Sequence, residues 1–195
     1  MFEYPPGATP LDLDEANGLL ARHITTQNQL NEWEQINILA AEKWVNRQQF
    51  KAEATTNTEF AKQLHKRMFN NTWSWAGEFR RSNKNIGVDW QTISVELKVL
   101  FDNLRYQLEN RSYEIDELVT RFHHRLVVIH PFANGNGRHA RMMTDIVLLS
   151  QGCERFSWGS GNNIAQISPI RANYIAALHA ADKRDYSPLI FFVRS

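Results

Sequence analysis

Cysteine is almost missing from this chain of 195 residues: Cys153 is the only one, which excludes an internal disulfide framework and fits a reducing compartment. No apolar run approaches the roughly 20 residues of a membrane span, so no membrane partner is expected. The opening stretch "MFEYPPGATPLDLDE" has no basic segment followed by an apolar one, so it does not read as a secretory leader, and a cytoplasmic location is expected. Charge of one sign is also lacking. With 22 basic and 21 acidic residues the net charge is +1, which argues against a general nucleic-acid binder. What is present suffices for one packed core: 43% of the residues are hydrophobic. We expect one domain over residues 31–195, preceded by an arm over residues 1–30 that is a candidate for regulation.

Helical spacing dominates the pattern. Residues 1–14 carry three prolines and a glycine and read as irregular, with a short helix starting near Asp14. Trp33, Ile36, Leu39, Ala40, Lys43 and Trp44 follow three-four spacing and predict a helix over residues 31–50. Phe60, Leu64 and Met68 predict another over residues 58–69. A helix over residues 94–110 carries Leu97, Leu100, Phe101, Leu104 and Leu108. The next, capped by Asp116, ends at His130, because a residue before proline disfavours the α region. Residues 136–151 are apolar on most sides and predict a central helix. Residues 168–183 and 188–193 complete the helices, with a turn-rich loop over 159–163. Residues 77–90, "GEFRRSNKNIGVDW", place polar turn formers between Phe79 and the segment from Ile86 to Trp90. They read as a β-hairpin or extended flap, with an irregular surface loop as the alternative. The class is all-α with one small β element.

The stretch "HPFANGNGRHAR", residues 130–141, joins two of these helices. His130 ends the first, and Gly135, Asn136 and Gly137 open the second. Glycines let successive backbone N–H groups turn into one concavity, and a helix N-terminus adds unpaired donors and a partial positive charge. That combination favours an anion, with phosphate the usual occupant. Arg138 and Arg141 oppose the helix dipole, so an anionic ligand explains them better than helix stability does. Plainer readings stay open at this point. Arg141 and Asp145 could form a surface pair, and His130 could be a satisfied helix-end histidine. His123, His130 and His139 could ligate a metal, although no cysteine or carboxylate pattern supports zinc.

Taken whole, the stretch resembles the signature of the Fic family, His-Pro-Phe-x-(Asp/Glu)-Gly-Asn-Gly-Arg-x-x-Arg. His130, Pro131, Phe132, Gly135, Asn136, Gly137, Arg138 and Arg141 match it, and Asn134 departs from it. The resemblance extends over about residues 31–195: "WAGEFR" with "NKNIGV" resembles the family's flap, and "RANYIAALHAADKRDYSPLIFF" its closing helices. The arm, together with Asn134, resembles the bacterial subgroup called mobile mystery protein B. The implied fold is a Fic-type helical bundle with a small β-hairpin flap.

The resemblance also implies a chemistry, the transfer of AMP from ATP to a hydroxyl side chain of a target protein. His130 would be the general base. Gly135, Asn136 and Gly137 would form the anion hole, with Arg138 on a phosphate in the middle of the ATP chain and Arg141 on the γ-phosphate. The flap residues Asn83, Lys84, Asn85, Ile86, Gly87 and Val88 would dock the target as an added strand. The family's acidic residue binds Mg²⁺; Asn134 brings an oxygen without charge, so weak metal binding and attenuated transfer are expected. Many relatives carry an inhibitory helix whose Glu pairs the second motif arginine. "LDEANG" comes nearest here and departs from that pattern, leaving two expectations: an arm that brings Glu15 or Asp14 near Arg141, or one that only packs on the domain. Other functions stay open beside AMP transfer. One is a nucleotide-binding regulatory module without turnover; another is transfer of a different phosphate-containing group.

Overall fold

The computed structural model describes residues 12–159 and 168–195. The irregular reading of residues 1–11 and most of the expected loop over 159–163 lie outside them.

Nine helices run through the described residues: α1 (Leu13–Ala16), α2 (Gln27–Val45), α3 (Ala52–Thr55), α4 (Thr58–Phe69), α5 (Ile93–Glu109), α6 (Ile115–Ile129), α7 (Asn136–Ser150), α8 (Pro169–Asp182) and α9 (Ser187–Arg194). Side chains fix four of the nine starts. Thr26 and Gln29 make a reciprocal capping box that begins α2 four residues before the expected Asn31. Asn57 accepts the Phe60 N–H at 2.8 Å to open α4, and Ser168 accepts the Arg171 N–H at 3.2 Å to open α8. Asp116 is not the cap of α6. Glu114 holds that position, and Asp116, inside the first turn, binds Arg194 instead.

Helix α7 is the hub. It packs on α6 and α4, and its buried residues include His139, Ala140, Met143, Thr144, Ile146, Val147 and Leu148. Around it α2 pairs with α4, α5 with α6, and α8 with α9. The expected inward face of α2 is corrected. Leu30, Glu34, Asn37, Ile38, Ala41 and Val45 face the core, while Ile36 and Leu39 are 65% and 44% exposed. Two polar residues interrupt the apolar stripe, which hid its true phase. Both are satisfied: Asn37 accepts the Asn71 N–H at 3.1 Å, and Glu34 accepts the Trp73 Nε1–H at 2.7 Å.

The arm is partly core. Ala21 and Ile24 are buried, and the Leu20 N–H donates to the Thr72 carbonyl at 2.9 Å. No β-hairpin forms in the flap. Among the described residues the only strand-like pairings are single bridges, Leu19 with Trp73 and Phe79 with Phe132. The flap's backbone groups are engaged elsewhere. Arg80 Nη1 donates to the Ser82 carbonyl at 2.8 Å and Nη2 to the Val88 carbonyl at 2.5 Å. One guanidinium therefore gathers the two limbs that a hairpin ladder would have joined.

Candidate functional site

The site is the loop from His130 to Gly135, between the helices α6 and α7. Both of its ends are left-handed: His130 has φ 53° and Gly135 has φ 76°. At Gly135 this requires glycine twice over, because a Cβ there would lie 2.4 Å from the Phe69 ring as well as strain the backbone. The interior of the loop is clamped by side chains. Asn136 Nδ2 donates to the Phe132 carbonyl at 2.7 Å while its Oδ1 accepts the Phe132 N–H at 2.9 Å. His65 stacks on Phe132 with ring centroids 3.8 Å apart. Its Nδ1 accepts the Gly77 N–H at 2.9 Å, so Nε2 carries the proton and donates to the Asn134 carbonyl at 3.0 Å. Burial holds His65 well below the usual histidine range, which keeps that tautomer neutral.

His130 is 7% exposed. The Arg80 Nε–H donates to its carbonyl at 2.7 Å, and the Arg80 N–H to the Pro131 carbonyl at 3.0 Å. Burial first, then the charges of Arg80 and Lys84, push the His130 ring down to about 4, so near neutral pH it is an uncharged imidazole able to accept a proton. The flap comes to this residue. At Gly87, φ is 108°, and a Cβ there would lie 2.9 Å from the His130 Cβ. Ile86 at the tip is 43% exposed, and Asn83 ties the flap ends by accepting the Trp90 N–H at 2.9 Å.

Opposite His130 the N-terminus of α7 opens. Gly135 caps it without a side-chain bond, and the backbone N–H groups of Asn136, Gly137 and Arg138 have no helical partner before them. Asn136 therefore contributes its backbone, while its side chain holds the loop. At Gly137 a Cβ would touch only Arg141 Nη1, at 3.8 Å, so the Arg141 guanidinium lies across the mouth of this N-terminus. The alternative reading of Arg141 and Asp145 as a surface pair fails. Asp145 accepts the Trp158 Nε1–H at 3.1 Å and the Phe156 N–H at 3.4 Å, and burial raises its carboxyl to about 7. Arg138 Nη1 donates to Glu34 Oε2 at 2.8 Å and lies over the Phe69 ring. Glu34 is 2% exposed and holds Arg138 with one oxygen and Trp73 with the other.

The histidine-metal reading fails here. His123 bonds Tyr174 and Thr144, His139 bonds the Ala61 carbonyl, and no cluster of three potential ligands occurs among the described residues. A resident Mg²⁺ fits no better. Asn134 would offer one neutral oxygen, and that atom accepts the Gly135 N–H at 2.6 Å.

The arm reaches the flap rather than Arg141. Lys84 Nζ binds Asp12 Oδ2 at 2.7 Å and Glu15 Oε2 at 2.5 Å, and Ser82 Oγ donates to Asp12 at 2.6 Å. The pull of Lys84 and Ser82 holds the Asp12 carboxyl below its ordinary value. Sequence reasoning missed Glu34, His65, Arg80 and Tyr174. For Glu34 a signal existed, since Leu30, Glu34, Ile38, Ala41 and Val45 keep helical spacing with one acid among them.

An all-helical domain with a buried neutral histidine and an open helix N-terminus on one interhelical loop defines the class. Residues 55–148 of the chain match the Fic/DOC family. Protein adenylyltransferase fic-1 of Caenorhabditis elegans is 29% identical over 140 residues, 67% of this chain and 25% of that protein. The chain thus spans about a quarter of the length of the curated relatives it matches. Two solved structures share the fold. The N-terminal FIC domain of the Bep8 effector protein from Bartonella sp. 1-1C superposes with TM-score 0.69, 18% identity and 89% of each chain. The BepC effector protein from Bartonella tribocorum, solved with bound AMPPNP, gives TM-score 0.67 at 18% identity, over 94% of this chain and 97% of that one.

Proposed function

We propose that the chain transfers AMP from ATP to a hydroxyl side chain of a target protein. The observation that carries this reading is the pairing on one loop of a neutral base, His130, with an open helix N-terminus flanked by Arg138 and Arg141. In the reaction, the target hydroxyl oxygen attacks the α-phosphorus and its proton passes to His130. The bond to the β-phosphate oxygen breaks, and pyrophosphate leaves. The backbone N–H groups of Asn136, Gly137 and Arg138 offset the charge on the phosphates, Arg138 takes a phosphate in the middle of the chain, and Arg141 takes the γ-phosphate. The flap meets His130 at Gly87, and its residues 83–88 position the target's backbone. An AMP-transferring relative and an AMPPNP-bound neighbour support the nucleotide. Magnesium arrives with ATP, held by its phosphate oxygens.

Asn134 attenuates the activity, because no carboxylate stands beside the phosphates. The test is transfer of label from α-labelled ATP to protein by wild type, Asn134→Asp and His130→Ala. The reading expects weak wild-type labelling, stronger labelling by Asn134→Asp, and none by His130→Ala. Asn134 also favours a second reading, a nucleotide-binding module without turnover. ATP binding with no labelling in either wild type or Asn134→Asp would replace the first reading by the second.

A further inference from the structure

We propose that Tyr174, backed by His123, is the positioning residue that sets the Arg141 guanidinium at the phosphate site. The proposal rests on the reading of Arg141 as a phosphate ligand. Its grounds are a hydrogen-bond chain from Ala140 through Thr144 and His123 that fixes where the Tyr174 hydroxyl sends its proton.

Arg141 is held on two sides. Its Nη1 lies over Gly137, and its Cζ stands 5.7 Å from the centre of the Tyr174 ring. A guanidinium only donates, so the Tyr174 oxygen can turn a lone pair to it only by sending its own proton elsewhere. His123 Nε2 lies 2.9 Å away and accepts that proton. The His123 hydrogen is therefore on Nδ1, which faces Thr144 Oγ1 at 3.2 Å. Thr144 donates its proton to the Ala140 carbonyl at 2.8 Å and so has a lone pair for Nδ1–H. The chain starts at Tyr174 on α8, passes through His123 on α6 and ends at Ala140, one residue before Arg141.

Each member is sealed from water: His123 and Thr144 are fully buried and Tyr174 is 3% exposed. Burial and the charge of Arg141 push His123 down to about 3, so the ring stays neutral and the direction of the chain is fixed. The arrangement holds Tyr174 through His123, while Arg141 Nη1 stays beside Gly137 at the α7 N-terminus. Arginine side chains are entropically costly to order, and a guanidinium ordered before phosphate arrives loses less on binding. Without the hydroxyl, Arg141 would keep its charge and lose its aim.

Tyr174 also packs on Phe192, with ring centroids 5.6 Å apart, so a purely structural role must be separable. The test uses Tyr174→Phe, which keeps the ring, and Arg141→Ala, both in a His130→Ala background to prevent turnover. ATP and ADP binding are measured by calorimetry beside the thermal unfolding midpoint. Tyr174→Phe is expected to weaken ATP binding about tenfold, bringing it toward the ADP value, with ADP affinity nearly unchanged. His123→Leu should behave in the same way. His123→Gln, whose amide can accept from Tyr174 and donate to Thr144, should restore most of the ATP affinity. If Arg141→Ala weakens ATP binding and Tyr174→Phe does not, the proposal is overturned and the reading of Arg141 stands. Equal losses for ATP and ADP in Tyr174→Phe, together with a lowered unfolding midpoint, overturn it in favour of packing. If Arg141→Ala binds ATP as the parent does, the reading of Arg141 falls and the proposal falls with it.

Discussion

Arg80 Nε donates to the His130 carbonyl at 2.7 Å, while the same guanidinium holds the Ser82 and Val88 carbonyls of the flap. One side chain thus fixes the position of the base relative to the segment assigned to target docking. Arg80→Gln removes the charge and most of the fork. Removing it leaves buried carbonyls without donors, at a cost of about 1–3 kcal/mol. Transfer to protein should fall by about two orders of magnitude, through misplacement of the base. ATP affinity should change little, because Arg80 makes no bond to α7. Stability by urea titration and affinity by calorimetry separate the two effects. A lost ATP affinity would show that Arg80 does not act through His130.

The two glycines of the site are expected to differ in how they tolerate alanine. Gly135→Ala puts a Cβ 2.4 Å from Phe69 at φ 76°, so the protein should lose at least about 2 kcal/mol of stability. At Gly137 φ is not positive, and the nearest atom to an added Cβ is Arg141 Nη1 at 3.8 Å. Gly137→Ala should therefore fold normally and weaken ATP binding, since the methyl group sits where a phosphate must approach. Equal stability of the two variants would contradict this description of the loop.

Stability should decline in mild acid. Burial lowers His123 to about 3 and His130 and His139 to about 4, and lowers His65 as well. Unfolded histidines bind protons near pH 6.5 and the folded ones do not. Stability contributed by neutral burial is thus present above pH 6.5 and is lost as pH falls toward 4. The loss is on the order of 1 kcal/mol per histidine per pH unit. Asp145, raised to about 7, has the opposite sign: its contribution is complete below pH 4 and is lost as pH rises through 7. Urea midpoints between pH 8 and pH 5 should fall, and His139→Gln should flatten the fall. Rising midpoints over that interval would refute the assignment.

The bonds of Asp12 and Glu15 to Lys84 make the arm a cover for the flap. The double variant Asp12→Asn, Glu15→Gln removes both carboxylates and leaves the buried Ala21 and Ile24 in place. Lys84 is only 3% exposed and Glu15 14%, so loss of both carboxylates leaves a buried ammonium unpaired and the unfolding midpoint should fall. Proteolytic cleavage within the flap should become faster, and protein labelling should increase if the flap docks the target. Unchanged cleavage would show that the arm does not cover the flap.

The sequence made α4 legible to the residue, because Asn57 and the spacing of Leu64 and Met68 are local signals. It also located the α6–α7 loop, through Pro131 after His130 and the glycines that follow. The hairpin failed for a non-local reason: the flap is organised by Arg80, whose bond to His130 spans 50 residues. The inward face of α2 failed because Glu34 and Asn37 occupy it. Their partners are elsewhere in the chain, with Arg138 104 residues beyond Glu34. Sequence periodicity marks buried apolar groups, and a buried acid is identified only with the cation that holds it.

The short connection between α6 and α7 has a further consequence. It begins and ends on a left-handed residue, it is clamped by Asn136, and the flap is pressed onto it at Gly87. Such a span acts as a caliper: its composition can vary, as Asn134 illustrates, but its length is fixed by the two helices it joins. In an insertion scan, one added residue anywhere from His130 to Gly135 should be as damaging as loss of the base itself.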